Sequence, residues 1–434
     1  MSDSLGLDSL ASRWNATPAF VRSGRVVAVN GTLITAELPA ARIGEVTEVD
    51  GVGPAETVGF KDGRVLLMPF GSLEGVRHGA AVRGTGSQPT ARVGNALCGR
   101  VIDGWGEPID GKGPIAGLSK RPLHLPPPDA MARSLVRKPL ATGVRVLDGL
   151  LTLGLGQRVG LMAGSGVGKS TLLGMIARRS AADVNVIALI GERGREVREF
   201  IEDVLGPAGL RRSVVVVVTS DKSPVLQLRG AFLAMAVAEH FRDQAKEVML
   251  MFDSVTRLTM AQRQIGLAVG EPPTTRGYTP SCFALLPRLL ERAGPAAHGS
   301  ITALYTVLVD GDDVEADPVG DAVRGLVDGH IVLSRKIAAQ ARFPAVDVLS
   351  SVSRVMDVVT TSEHCASARK VRALLNTWAQ NEELVRLGAY KAGASAQVDA
   401  AVARIDRIHA WLGQGIYESF PFVESVSSMD SLLR

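Results

Sequence analysis

The 434-residue sequence predicts an α/β protein: a helix-covered parallel sheet, with a small β-barrel before it and a helical domain after it. Three observations lead there. Over residues 24–84, short β-branched runs are punctuated by glycine. From about residue 93, apolar runs of strand length alternate with amphipathic stretches of helix length. Beyond residue 360 the strand-like runs stop and only helical periodicity remains.

Taken in order, residues 1–20 are polar with apolar positions at Leu5, Leu7, Leu10 and Trp14. Two readings stay open there: a frayed terminus or a short amphipathic docking helix. Residues 21–92 contain GRVVAVNGTLITAEL, GEVTEV, ETVGF, GRVLLMPF and AAVRGTG, which read as consecutive strands. Asn30-Gly31 marks a tight turn between two of them. Five or six short strands at hairpin spacing suggest a closed barrel. Residues 93–360 pass through a proline-rich connector at 122–128. The runs QRVGLMA, VNVIALI, SVVVVVTS and EVMLMFD follow, each leading into a helical stretch. Strands that are apolar throughout belong to a parallel sheet covered on both faces. In residues 361–434, CASARKVRALLNTWAQNEELVRLG and QVDAAVARIDRIHAWLGQGIY form the third, helical domain.

Composition narrows the function classes. Hydrophobic residues make up 46%, charged residues 21% and aromatics 4%, with a net charge of +4, an ordinary soluble balance. No lysine- or arginine-rich block stands out, so charge gives nucleic-acid binding little support. Cys98, Cys282 and Cys365 lie far apart without histidines at ligand spacing, which argues for a reduced interior and against a structural zinc site. The first residues lack the basic and apolar regions of a secretory signal. The apolar runs at 214–218 and 248–252 are too short to span a bilayer, so any membrane role is expected to be peripheral.

Three segments carry chemistry. Ala163-Gly164-Ser165-Gly166-Val167-Gly168-Lys169-Ser170-Thr171 follows a strand and opens a helix. Backbone N–H groups and the helix dipole then converge on one point and favour a phosphate. Lys169 can reach the β- and γ-phosphates, and the Ser170 hydroxyl can ligate Mg²⁺. Ala163 replaces the usual first glycine. The second segment, ending in Asp253, delivers a carboxylate to the sheet edge beside that loop, positioned to hold Mg²⁺ through water. The third, Gly191-Glu192-Arg193-Gly194-Arg195-Glu196, puts Glu192 at the same edge, where it can orient the attacking water.

With these residues in view, the chain resembles the catalytic ATPases of type III protein export, relatives of the rotary ATP synthase catalytic subunit. The resemblance is carried by RVLDGLLTLGLGQRVGLMAGSGVGKST, IGERGREVREFIEDV, LMFDSVTRLTMAQRQI, GEPPTTRGYTPS, DGHIVLSR and PAVDVLSSVSR. It implies a P-loop (RecA-like) core and hydrolysis of MgATP to ADP and phosphate. By position it assigns Lys169 and Ser170 to phosphate and Mg²⁺, Asp253 to the second-motif carboxylate, and Glu192 to the catalytic glutamate. Arg193 and Arg257 match arginines that contact the γ-phosphate, Phe343 an aromatic stacked on adenine, and Arg354 an arginine finger reaching into a neighbouring site. In the synthase ring the glutamate and the finger reside on different subunits, whereas this chain carries both. The resemblance therefore implies a self-sufficient homohexamer. It also implies a coiled-coil central stalk protein in the ring pore, with residues 265–279 facing it. A peripheral stalk-like regulator would bind the N-terminal segment near Leu5, Leu10 and Trp14. Export chaperones, cargo and the membrane export gate complete the expected partners, at a cytoplasmic site peripheral to the inner membrane. Leu387-Gly388-Ala389-Tyr390-Lys391 and the ending 419–433 are more similar to the flagellar branch than to the injectisome branch. Two other classes stand as alternatives: a non-catalytic ring subunit, against which Glu192 argues, and an RNA translocase. The latter needs stacking aromatics in the barrel, where residues 24–84 offer only Phe60 and Phe70.

Overall fold

The structure is a computed structural model that describes residues 22–86, 88–309 and 317–434. The docking helix considered around Leu5, Leu10 and Trp14 lies outside those residues. The chain divides into two compact units, one reaching to Pro89 and including Leu267–Glu271, the other formed by Thr90–Gly266 and Pro272–Arg434.

In the first unit β1 (Arg22–Asn30), β2 (Leu33–Glu37), β3 (Val46–Val49), β4 (Gly53–Lys61), β5 (Arg64–Pro69) and β6 (Ala81–Gly84) close into a barrel. Their order around it is β1-β2-β5-β4-β3-β6, every neighbouring pair antiparallel. Asn30 pairs with Leu33 across a two-residue turn. Alternating residues from the strands (Val26, Ile34, Ala36, Val65, Leu67, Val82) fill the interior, as expected where one sheet face is dry and the other wet.

The second unit is built on β7 (Val101–Asp103), α1 (Arg145–Leu150), β8 (Arg158–Ala163), α2 (Lys169–Arg179), β9 (Val184–Glu192), β10 (Ser213–Thr219), α3 (Pro224–Arg242), β11 (Glu247–Asp253), α4 (Val255–Val269), β12 (Ser300–Leu308), β13 (Gly329–Leu333) and β14 (Val346–Ser353). The strands lie in the order β14-β13-β8-β12-β11-β9-β10-β7, with the two-residue strand Gly294–Pro295 added to β12. Pairing from β13 through β7 is parallel throughout, and β14 alone on this path is antiparallel. Burial on both faces explains the continuous apolar reading: all nine residues of β9 are buried. One face is covered by α3, which packs on β9, β10 and β11.

The opposite face carries α1 and α2, and the C-terminal helices join them there. α5 (Ser362–Arg386), α6 (Ile405–Leu412) and α7 (Phe422–Ser431) follow the last strand. Leu147 and Leu150 of α1, Leu173 and Ile176 of α2, Val371 of α5, Ile408 and Trp411 of α6 and Met429 of α7 belong to one continuous apolar core. The helical domain thus shares the dry face of the sheet. No helix of the described residues is long and apolar enough to cross a membrane.

Candidate active site

Parallel strands deliver all their C-terminal ends to one edge. β8 stops at Ala163 and α2 starts at Lys169, so residues 164–168 form the turn between them. Gly166 (φ 79°) and Gly168 (φ 90°) take left-handed conformations that a Cβ would strain. Val167, buried in the main core, anchors the turn, while Ser165 and Gly166 are exposed. Lys169, Ser170 and Thr171 form the first helical turn, whose N–H groups have no intrahelical acceptors. Loop and helix start together make an anion site.

Two strands away β11 ends at Asp253, and β9 runs on to Glu192, three residues past the Leu189 that pairs with Asp253. Lys169 reaches both: Nζ ion-pairs with Asp253 Oδ1 and lies 3.8 Å from Glu192 Oε1. Arg257, in the first turn of α4, donates from Nε to Glu192 Oε1 at 3.2 Å. Thr306 of β12 donates from its hydroxyl to Asp253 Oδ1 at 2.7 Å. Asp253 is 3% and Glu192 6% exposed, so both carboxyls sit in a poorly solvated place. Burial pushes the Glu192 carboxyl above the usual glutamate range, and the negative charge of Asp253 adds to the rise. Lys169 and Arg257 act in the opposite direction.

The remaining expected residues divide. Phe343, 45% exposed, lies against the far end of the loop: a Cβ on Gly168 would sit 3.7 Å from its Cδ1. Beside it opens a cleft of about 520 Å³ lined by Arg342, Phe343, His409, Gly413 and Gln414. It is roomy enough for a purine, and Gln414 N–H donates to the Phe343 carbonyl at 2.8 Å across it. Arg193 stands apart from the carboxylates. Its side chain is 73% exposed and pairs with Glu196 one turn on, Nη1 to Oε1 at 3.0 Å. Arg354 lies outside the cluster altogether. It follows β14, whose antiparallel course carries it to the start of β13, where its N–H donates to the Asp328 carbonyl at 3.0 Å. Asp328 in turn contacts Arg158, the first residue of β8. The phosphate loop begins at the other end of that strand, roughly 16 Å away at about 3.3 Å per residue.

Known families match the same segments. Residues 143–353 match the nucleotide-binding domain of the ATP synthase alpha/beta family and residues 26–86 its beta-barrel domain. Residues 360–431 match the C-terminal domain of the T3SS EscN ATPase. The flagellum-specific ATP synthase of Bacillus subtilis (strain 168) is 50% identical over 422 residues, 96% of this chain and 96% of that protein. This chain belongs to the family of flagellum-specific and type 3 secretion ATPases. The same ATPase chain is 52% identical over 398 residues to the type 3 secretion system ATPase of Xanthomonas euvesicatoria, covering 91% of this chain and 90% of that one. The assembled ATPase EscN of the enteropathogenic E. coli type III secretion system matches it with a TM-score of 0.90 at 44% identity, covering 95% of this chain and 100% of that one. With its central stalk EscO, EscN matches at 0.88. The resemblance read from the motifs therefore extends along the whole ATPase chain.

Two partners in this geometry escaped sequence reasoning. Thr306 is a hydroxyl inside the apolar run ITALYTVL, a polar position in a buried strand that was a usable signal. Gln414 gave none, because it reaches the Phe343 segment only through the docking of the C-terminal helices.

Proposed function

We propose that this ATPase energises export of flagellar proteins through a type III apparatus, as a homohexamer that hydrolyses MgATP at sites shared between neighbours. The observation that carries the reading is the meeting of Lys169, Glu192, Asp253 and Arg257 at the strand edge beside the phosphate loop. In the proposed reaction, water attacks the γ-phosphate in line with the leaving oxygen. The carboxylate of Glu192 orients that water and takes up its proton. Lys169 and Arg257 offset charge on the phosphoryl oxygens, Arg193 swings in from the surface, and Arg354 comes from the adjacent copy. Phe343 stacks on the base, and residues 164–171 hold the phosphates through backbone N–H groups. The protein's work is positioning and electrostatics.

The residues fit a magnesium ion carried in with the nucleotide. Ser170 offers a hydroxyl and Asp253 a carboxylate, both hard oxygen donors. The described residues contain no cluster of three His, Cys, Asp or Glu that would form an all-protein cage, so phosphate oxygens and water complete the set. Held there with the nucleotide, Mg²⁺ would supply positive charge to offset that of the phosphates.

The reading extends to the assembly. A coiled-coil central stalk protein would occupy the pore near residues 265–279, as the EscN complex with its central stalk EscO suggests. A peripheral stalk-like regulator would hold residues 1–20 as a binding segment. Export chaperones, cargo and the membrane export gate would meet the ring at the cytoplasmic face of the inner membrane. Residues 21–92, 93–360 and 361–434 would act as barrel, motor and helical domain. The injectisome is the second reading, because relatives of both kinds stand near 50% identity.

The deciding experiment on chemistry is Glu192→Gln. It should bind ATP with near-normal affinity and lose about 10²-fold or more in kcat, the usual worth of a positioned base; undiminished turnover would remove Glu192 from this role. The system is decided by deleting the gene. Loss of flagella supports the flagellar assignment, and loss of a virulence secretome with intact flagella replaces it.

A further inference from the structure

Residues 334–345 connect β13 to β14 and touch the phosphate loop at both of its ends. Phe343 meets Gly168 at the far end. At the near end the guanidinium of Arg335 covers Gly164: a Cβ on residue 164 would sit 2.8 Å from Nε, 2.9 Å from Nη2 and 3.1 Å from Cζ. The two nitrogens are nearer than Cζ, so the donor edge formed by Nε and Nη2 is turned toward the backbone. Gly164 is not among the glycines of positive φ, unlike Gly166 and Gly168. The bare backbone at position 164 thus leaves room for the arginine beside it and serves no left-handed turn conformation.

The start of the connection is pinned. Ser334 N–H donates to the Ala345 carbonyl at 2.9 Å, and its hydroxyl accepts from Ile337 N–H at 3.5 Å. Three other cations at this edge are engaged: Lys169 with Asp253, Arg257 with Glu192 and Arg193 with Glu196. Arg335 has no carboxylate, carbonyl or ring partner among the described residues. A guanidinium keeps its charge at every working pH and presents a planar fork of donors suited to phosphate oxygens. An unengaged group of that kind, held on an anion-binding loop, is a phosphate ligand in waiting.

We propose that Arg335 is a further nucleotide-binding residue, a cation that residues 334–345 hold on the phosphate loop to engage the nucleotide's phosphate chain. The proposal rests on the reading of residues 163–171 as that loop. Arg335 is exposed, so its contribution is of the size of a solvent-accessible ion pair, about two- to fivefold in affinity, and is weakened by salt.

The test is steady-state hydrolysis of MgATP by the full-length wild-type chain and by Arg335→Ala, Arg335→Lys, Arg335→Met, Gly164→Ala and the double variant Gly164→Ala/Arg335→Ala. In Arg335→Ala, KM should rise about two- to fivefold while kcat changes less than twofold. Its KM should also depend less steeply on sodium chloride than that of the wild type. Arg335→Lys keeps the charge and should regain most of the loss. Arg335→Met covers the loop without charge and should behave like Arg335→Ala. The methyl of Gly164→Ala displaces only the far end of a flexible side chain, so this variant should copy Arg335→Ala and add nothing to it in the double. Wild-type KM in Arg335→Ala or Arg335→Met, or fully multiplying effects in the double, would overturn the assignment. A wild-type chain without ATPase activity would overturn the reading of the loop itself, whereas an active wild type matched by Arg335→Ala overturns only the role of Arg335.

Discussion

Glu192 is held among two cations and a second carboxyl with little water around it. Burial and Asp253 both favour its protonated form, so that form persists to higher pH than in an ordinary glutamate, which titrates near about 4.3. In the proposed reaction the Glu192 carboxylate orients and deprotonates water, so turnover is expected to fall as pH drops through the raised value. The acid limb of the kcat profile should therefore lie above the ordinary glutamate range, and a limb at or below about pH 4.3 would contradict it. Phe343 and Arg193 show how far a residue's type predicts its place. The aromatic lies against the loop, while the arginine lies on the surface paired with Glu196. Reaching the phosphates from there requires a side-chain rotation, which Arg193 is free to make because its pair is exposed and weak.

Among the elements, α5 is tied to α1 by one buried histidine in addition to their shared apolar core. His364, 4% exposed, donates from Nε2–H to the Gly149 carbonyl at 2.7 Å. Trp411 of α6 enters the same core and donates from its indole N–H to Ser428 of α7 at 2.9 Å. Because Gly413 and Gln414, just after α6, line the cleft beside Phe343, the seating of the C-terminal helices bears on the proposed base site as well as on stability. His364→Ala leaves the Gly149 carbonyl buried without a donor and opens a small cavity. It should cost about 1–3 kcal/mol in urea unfolding and raise KM for ATP more than it lowers kcat. Unchanged unfolding would show that the helices are held by apolar contact alone.

For the molecule as a whole, the decisive fact is the distance between Arg354 and the phosphate loop of its own chain. Antiparallel β14 carries the arginine to the opposite edge of the sheet, so it cannot serve the site its chain builds. In the proposed homohexamer a second copy brings it, in a head-to-tail contact that closes into a ring. Specific activity per subunit should therefore rise with protein concentration. Mixing Arg354→Ala with Glu192→Gln, each nearly inactive alone, should restore hydrolysis, because one interface in the mixed ring combines an intact Glu192 with an intact Arg354. A mixture no more active than its components would rule out the shared site. An arginine supplied in trans to a GTPase is worth roughly 10³–10⁵ in rate, which sets the scale of the recovery.

The sequence by itself determined what is local: the barrel's short alternating strands, the apolar parallel strands, the phosphate loop between strand and helix, and the carboxylates at strand ends. These follow from periodicity and from the conformations that glycine allows, properties of a few neighbouring residues. Only the tertiary structure decided which distant pieces meet. β8 lies between β12 and β13, whose residues come more than a hundred positions later, and that order brings Thr306 to Asp253 and Arg335 to Gly164. Strand order is set by which apolar faces pack together, and no local pattern encodes it. The same holds for Arg354, which the antiparallel strand sets at the opposite edge of the sheet from its own chain's phosphate loop.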